Sequence, residues 1–366
     1  MHRIKFKDFI TLQRGFDLPK KDRIDGHYPV VASTSIAGYH NEFKVEPPGV
    51  TTGRSGSLGE VLYLEEKFWP LNTSLWVKDF KGNLPHYVYY FLKTLNLQDY
   101  NSGAGVPTLN RNHLDSIEID VHDENEQRKI ASILSAFDDL IENNTRRIAI
   151  LEEMARLIYR EWFVLYRYPG HENDRLVDSG TELGEVPEGW EVREVDEVVN
   201  RLPKGNIYRK KNIDNKGEVI VIDQSTDDYL GFHNNEPDFN ASFDGPFIIF
   251  GDHTCKIEML TRPFSLGPNV VPFIPKNEEL STYYLYWLVE GIIESREYKR
   301  HWSSFKVKKV VLAPVDLSDL FERKVKPIYR LLEVLKKKNR KLKETRDLLL
   351  PKFISGKIDI NNFTVN

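Results

Sequence analysis

A chain of 366 residues with 40% hydrophobic, 12% aromatic and 29% charged residues has a soluble globular composition and room for two or three domains. The single cysteine, Cys255, excludes an internal disulfide framework and argues against a cysteine-rich zinc site; no uncharged apolar run approaches the ~18 residues of a membrane span. The net charge of −4 supplies no overall basic field, and the opening MHRIKFKDFI lacks an apolar signal core, so a cytoplasmic location is the expectation.

In chain order, residues 1–123 alternate short strands with turns. VLYL (61–64), SLWV (74–77) and SIEIDV (116–121) have strand-like patterns, and PHYVYYFLKTL (85–95) is a short helix. A long amphipathic helix is expected over 124–165. Its apolar residues step by three and four through Ile133, Phe137, Leu140, Leu151 and Ile158. Residues 166–190 are polar with Gly and Pro and suit an extended linker. Residues 191–317 return to short strands, VIVI (219–222), FIIF (247–250) and VVLAPV (310–315), with a helix expected over STYYLYWLVEGIIES (281–295). A second long helix is expected over 318–357, its stripe running through Ile328, Leu332, Leu335, Leu342 and Leu349, and 358–366 form a tail. Pro327 is expected to kink that helix or delay its start.

The two long helices repeat one another at an offset of 195: Arg128/Arg323, Lys129/Lys324, Ile133/Ile328, Leu140/Leu335 and Asn144/Asn339. The echo extends to LPHYVYYFLK (84–93) and LSTYYLYWLV (280–289). Residues 319–357 carry 13 Lys/Arg against 5 Asp/Glu, while 123–161 carry 6 against 9, so the helices have complementary charge. The expected fold is α+β: two mixed α/β domains joined by two long antiparallel coiled-coil helices, with a pseudo-twofold internal repeat. At about 1.5 Å per residue, roughly 36 helical residues span about 54 Å. Asn144 and Asn339 interrupt the stripes at matching places, either buried to fix register or at the stripe's edge in water.

ENEQRKIASILSAFDDLIENNTRRIAILEEMARLIYREWF (124–163) resembles the central conserved region of type I restriction-modification specificity subunits, and ETRDLLLPKFISGKIDI (344–360) their C-terminal conserved region. GVTTGRSGSLGEVLY (49–63) and NSGAGVPTLNRNHLDSIEI (101–119) resemble segments of their target-recognition domains. The second helix departs from the pattern in having no Glu-Gln pair at its start. The resemblance implies a non-catalytic subunit in which each domain reads half of a split double-stranded DNA target. It implies that the helices act as a ruler and dock two modification subunits, that a restriction and translocase subunit joins them, and that S-adenosylmethionine sits on the modification subunits with no cofactor or metal here.

On that reading the residue types suited to DNA are Arg and Lys for guanine or phosphate, and Asn and Gln for adenine. The first half offers Thr34, Ser35 and Asn41; Arg54, Ser55 and Ser57 on a loop punctuated by Gly53, Gly56 and Gly59; and Asn101, Ser102, Thr108, Asn110 and Arg111. The glycine loop equally suits an ordinary hairpin turn, and it lacks the Gly-Lys-Ser/Thr of a Walker loop. The second half offers Lys204, Arg209, Lys210 and Lys211 around Tyr208, then Gln224, Ser225 and Thr226, His253 and Lys256, and Ser303, Ser304 and Lys306.

A stand-alone DNA-modifying or DNA-cleaving enzyme is the alternative, together with an assembly scaffold that reads no DNA. Against a methyltransferase, the one Pro-Pro, in EPPG (46–49), lacks the aromatic residue that grips a flipped base. For a nuclease there are EPDF (236–239) and EYK (297–299), patterns common by chance.

Overall fold

The computed structural model describes residues 1–103, 105–227, 229–295, 297 and 299–362. Ala104 and Tyr298, which fall in segments quoted above, together with Asp228, Arg296 and the last four residues of the expected tail, lie outside the described residues. The chain forms two compact units, Met1–Thr145 with the chain from Lys337 onward, and Arg146–Lys336.

In the first unit an antiparallel sheet runs in the order Thr11–Arg14, Ser74–Asp79, Gly49–Gly53, Val61–Leu64. A second sheet runs Ile36–His40, Tyr28–Val31, Trp69–Pro70, with its last pair parallel. His2–Lys5 pairs with Glu118–Val121. In the latter strand Ile119 and Val121 face inward while Glu118 and Asp120 face out, the period-two alternation of a half-buried strand. The helix Pro85–Thr94 starts on a proline, which loses nothing where the amide has no helical partner, and buries Tyr87, Tyr90 and Phe91.

The second unit repeats this plan strand for strand. Its four-stranded sheet runs Val199–Arg201, Val270–Pro275, Phe247–Gly251, Ile257–Leu260. Its three-stranded sheet runs Gly231–His233, Val219–Ile222, Phe264–Leu266, again with the last pair parallel. Glu191–Glu194 pairs with Lys309–Leu312. The helix Thr282–Val289 is capped by the Ser281 hydroxyl, which accepts the Tyr284 N–H. It stops short of the expected 281–295 because Glu290 is extended and Gly291 adopts a φ of 73°, the left-handed conformation that ends helices.

The central helix covers Glu124–Tyr159 and continues as a π turn over Arg160–Val164; the C-terminal helix covers Val315–Ile354. The C-terminal helix starts three residues earlier than expected and is unbroken through Pro327, so the proline neither delays nor divides it. Each core takes in the far end of the helix that belongs, in sequence, to the other half. Leu350, Phe353 and Ile354 join Phe6, Phe9, Tyr87 and Ile130 in the first core. Ala155 and Phe163 join Tyr284, Phe305, Phe321 and Val325 in the second.

In the first unit the two helices run antiparallel. Asp138 pairs with Arg346 and also accepts the Tyr90 hydroxyl at 2.5 Å, while Asn144 meets Asn339. Ile133, Phe137, Leu342 and Leu349 are half-buried there; Leu140 instead points outward, 53% exposed, because its helical position falls on the flank of the seam. In the second unit Leu332 and Leu335 are buried, Leu151, Ile158 and Ile328 are half-buried, and Glu152 pairs with Lys336 at 3.2 Å.

The missing Glu-Gln pair has a structural replacement. Gln127, 4% exposed, accepts the Leu84 N–H at 3.1 Å and donates to Asn83 and the His122 carbonyl, tying the short helix to the central one. At the matching position Glu322 accepts the Ser281 hydroxyl at 2.9 Å and pairs with Lys326. The linker is also more than an extended connector. Leu176–Asp178 and Glu185–Pro187 form a hairpin, Tyr168 stacks on Trp190 at 5.4 Å, and Val186 is buried.

Candidate nucleic-acid interface

In the first unit four connections meet at one end of the four-stranded sheet. They are the turn after Tyr28–Val31, the glycine loop after Gly49–Gly53, the turn before Ser74–Asp79, and the segment 101–110. Arg54 and Ser55 donate their backbone N–H groups to the Thr73 carbonyl at 2.8 and 3.1 Å. The Arg54 carbonyl accepts the Leu109 N–H at 2.8 Å, and the Gly56 N–H donates to Pro107 at 2.9 Å. The Arg54 guanidinium is turned back onto the Asn72 carbonyl at 2.9 Å and is half-buried. Gly53 is required by close approach: a Cβ there would lie 2.1 Å from the Ser57 carbonyl and 3.0 Å from that of Ser33. The glycine loop is therefore a hairpin connection as well as the centre of the cluster.

Ser57, Asn101, Ser102, Asn110 and Arg111 are exposed on this cluster, and Thr34 and Ser35 form its neighbouring turn. Several are occupied in shaping the loops. Asn101 accepts the Gly103 and Thr108 N–H groups, Ser102 donates to the Thr108 carbonyl, and Asn110 caps the helix Arg111–Asp115. Ser55 bridges Thr108 across the cluster. Asn41 is exposed but lies at the far end of the strand Ile36–His40, where its N–H is held by Ile24.

The second unit rebuilds the junction with different side chains. The Asp252 N–H donates to the Asn269 carbonyl at 2.8 Å and its own carbonyl accepts the His301 N–H at 2.7 Å, the roles Arg54 fills in the first unit. The Asp252 carboxylate, 7% exposed as a residue, accepts the Trp302 N–H at 3.0 Å and faces the Arg300 guanidinium at 3.8 Å. Gln224 accepts the His253 N–H, and its own carbonyl accepts the Thr254 hydroxyl, joining two of the predicted loops. Ser225 is turned onto Asp223 and Thr226 is exposed. Ser303 and Ser304 are exposed on the helix Trp302–Phe305, and Lys306 faces Asp196 at 3.8 Å.

Tyr208 is no exposed aromatic among basic residues: it is 9% exposed and stacks on His233 at 4.1 Å with the rings parallel, while Arg209, Lys210 and Lys211 are exposed around it. Lys256 is no free cation, since it pairs with Glu258 at 2.9 Å and donates to the Asp227 carbonyl. Asp252 and Arg300 are additional members of the site. The signal for Asp252 is the repeat with a shifted offset: the strands Gly49–Gly53 and Phe247–Gly251 match at 198 rather than 195, which sets Arg54 against Asp252. Lys204 is half-buried; burial first, then Arg201 and Arg300, push its ammonium below the usual lysine range, and the Asp252 carboxylate opposes them in part. Among the described residues no group of three or more His, Cys, Asp and Glu is placed to hold a metal ion, and no helix is long and apolar enough to cross a membrane.

Comparison with known proteins gives concordant results. The chain is 23% identical to the type I restriction enzyme MjaIX specificity subunit of Methanocaldococcus jannaschii, over 76% of this chain and 70% of that protein. It is 21% identical to the MjaVIII specificity subunit of the same organism, over 98% and 93%. Its fold matches the crystal structure of the type I restriction-modification S subunit from M. genitalium with a TM-score of 0.64, at 18% identity, over 96% of this chain and 95% of that one. The family described as "Type I restriction modification DNA specificity domain" matches residues 2–153 and 187–316, most of both units. The chain belongs to the type I restriction-modification DNA specificity family.

Proposed function

We propose that each unit reads one half of a bipartite double-stranded DNA target through its loop cluster, and that the flank of the long helices receives the modification subunits of a type I complex. The observation that carries this reading is one scaffold built twice with different side chains at the same junction, Arg54 in one unit and Asp252 in the other. A repeated backbone holds each cluster in a comparable frame, while the altered donor and acceptor sets suit different base edges. The exposed side chains around the junctions include Ser, Thr, Asn and Arg, types that contact base edges and phosphates.

The helices support the partner part of the reading. In the second unit Glu152 and Lys336 flank the seam on one side. Ile150, Met154 and Leu157 on the central helix, and Leu331 and Val334 on the C-terminal one, occupy the opposite flank and are exposed by 60%, 46%, 44%, 37% and 48%. An apolar helical flank of this kind fits a helical partner surface. S-adenosylmethionine and methyl transfer belong on this reading to the modification subunits, and DNA translocation and cleavage to a restriction subunit.

The test is selection of bound fragments from a random double-stranded DNA pool by the full chain assembled with its modification subunits. Two fixed blocks separated by a constant unread gap are expected. A single continuous block, or no enrichment, contradicts the proposal.

A further inference from the structure

Three cations of the second unit, Arg201, Lys204 and Arg300, lie near one acid, Asp252. Arg201 ends a strand of the four-stranded sheet, and its guanidinium lies over the Trp302 ring, 5.6 Å from the centroid. Lys204 follows in the next loop, half-buried and close enough to Arg201 and Arg300 to feel both charges. Arg300 reaches the same point from the other side, 3.8 Å from the Asp252 carboxylate. Among the described residues three cations thus gather near one acid, Asp252, whose carboxylate also accepts the Trp302 N–H. Burying Lys204 near two arginines is unfavourable, the Asp252 carboxylate offsets only part of that cost, and a further anion would complete the set. At the matching junction of the first unit the charge is reversed: Arg54 stands where Asp252 stands, and its guanidinium donates to the Asn72 carbonyl.

We infer that Arg201, Lys204 and Arg300 form a notch in the second unit that holds one phosphate of the DNA backbone. The inference rests on the DNA-reading function proposed above and deepens it. Phosphate contacts fix the position of a protein on the duplex and carry no base information, whereas contacts to base edges discriminate. The notch is therefore an anchor that sets the register of the second half-site, and the exposed residues beside it, Ser303, Ser304 and Thr226, are left to face the groove. Asp252 acts as a positioning residue, holding Arg300 and the start of the helix Trp302–Phe305.

The experiment measures DNA affinity against salt concentration for the full chain assembled with its modification subunits. The parent is compared with Lys204→Met, which keeps the aliphatic stem, and with Arg300→Gln at the more exposed member of the notch. Each variant is expected to weaken binding to cognate and altered sequences by the same factor. Each is expected to flatten the slope of log affinity against log salt, and the two changes combined by no more than about 0.9, the signature of one lost phosphate contact. An unchanged slope in both variants overturns the inference, as does a changed base preference in the second half-site with the slope intact, which would make these residues base readers. Inorganic phosphate supplies the second arm. If it protects Lys204 from amine-modifying reagents in the parent while the DNA salt slope is unaltered in both variants, the notch is a free-anion site and the DNA inference fails. A parent that bound DNA steeply with salt yet selected no sequence would sink the half-site reading, and the slope comparison would still decide the phosphate contact.

Discussion

Asn144 donates its side-chain amide to the Asn339 side-chain oxygen at 2.9 Å, and the two residues are partners in the internal repeat, 195 positions apart. Both are nearly buried, at 9% and 8% exposure, within the first unit. Asn339 in turn donates to the Ile141 carbonyl and the Thr145 hydroxyl, both at 3.2 Å. The stripes are thus interrupted by a polar pair that satisfies itself across the seam, and of the two readings open from the sequence, burial is the one found. A one-step slip of either helix would leave an amide unpaired in an apolar seam, so the pair penalises wrong registers.

Replacing one partner and replacing both should have opposite signs. Asn339→Leu leaves the Asn144 amide buried without its partner and is expected to lower unfolding stability by about 1–3 kcal/mol. The double variant Asn144→Leu, Asn339→Leu removes both polar groups and should be at least as stable as the parent, with less control over register. Urea unfolding of the three proteins checks this, and a single variant as stable as the parent contradicts it.

Two buried histidines make a prediction about pH. Burial pushes His122 in the first unit and His233 in the second below the ordinary value of 6.5. Between the lowered folded value and 6.5 the unfolded chain binds more protons than the folded one, so stability rises with pH there. Their contribution is full above about 6.5 and is lost as pH falls through the lowered values. His122 shares a hydrogen bond of 2.9 Å with the Tyr87 hydroxyl, which an Asn at 122 can accept. Stability measured from pH 7 to 5.5 should decline in the parent and decline less in His122→Asn. A flat parent curve, or equal slopes, contradicts the assignment.

The long helices were legible because their apolar steps of three and four persist over many turns, and the repeat was legible because it reuses them. Strands such as VIVI and SIEIDV showed through run or alternation. What stayed hidden depends on partners distant in sequence. Tyr208 is buried by His233, which arrives on another strand. Leu140 obeys the stripe spacing, but its place on the seam's flank depends on where the second helix lies. The loop cluster joins residues near 54, 73 and 108 through backbone hydrogen bonds and brings Ser33 against Gly53, none of which side-chain identity encodes. Among the DNA candidates, composition separated polar loops from strands but could not tell Lys256, held by Glu258, from Lys204 in its cationic notch.

Helix length offers a test of the ruler expectation. Inserting four residues after Thr145 and four after Lys336, where the chain passes between its units, adds about 6 Å and turns each helix by nearly a full turn, about 40° past it. At roughly 3.4 Å per base pair the unread gap should lengthen by one or two base pairs while both half-sites stay unchanged. Two-residue insertions rotate the stripe by about 200° and should destabilise the protein or abolish assembly. An unaltered gap in a folded four-residue variant would leave the helices as docking surfaces alone.

The central claim, that each unit reads its own half-site, is tested most directly by grafting residues 1–120 onto another specificity subunit and selecting bound fragments from a random DNA pool with modification subunits present. The account predicts that one half-site of the recipient is replaced by a new one, with the other half-site kept. Replacement of both half-sites together, or of neither in a folded and assembled chimera, would contradict it.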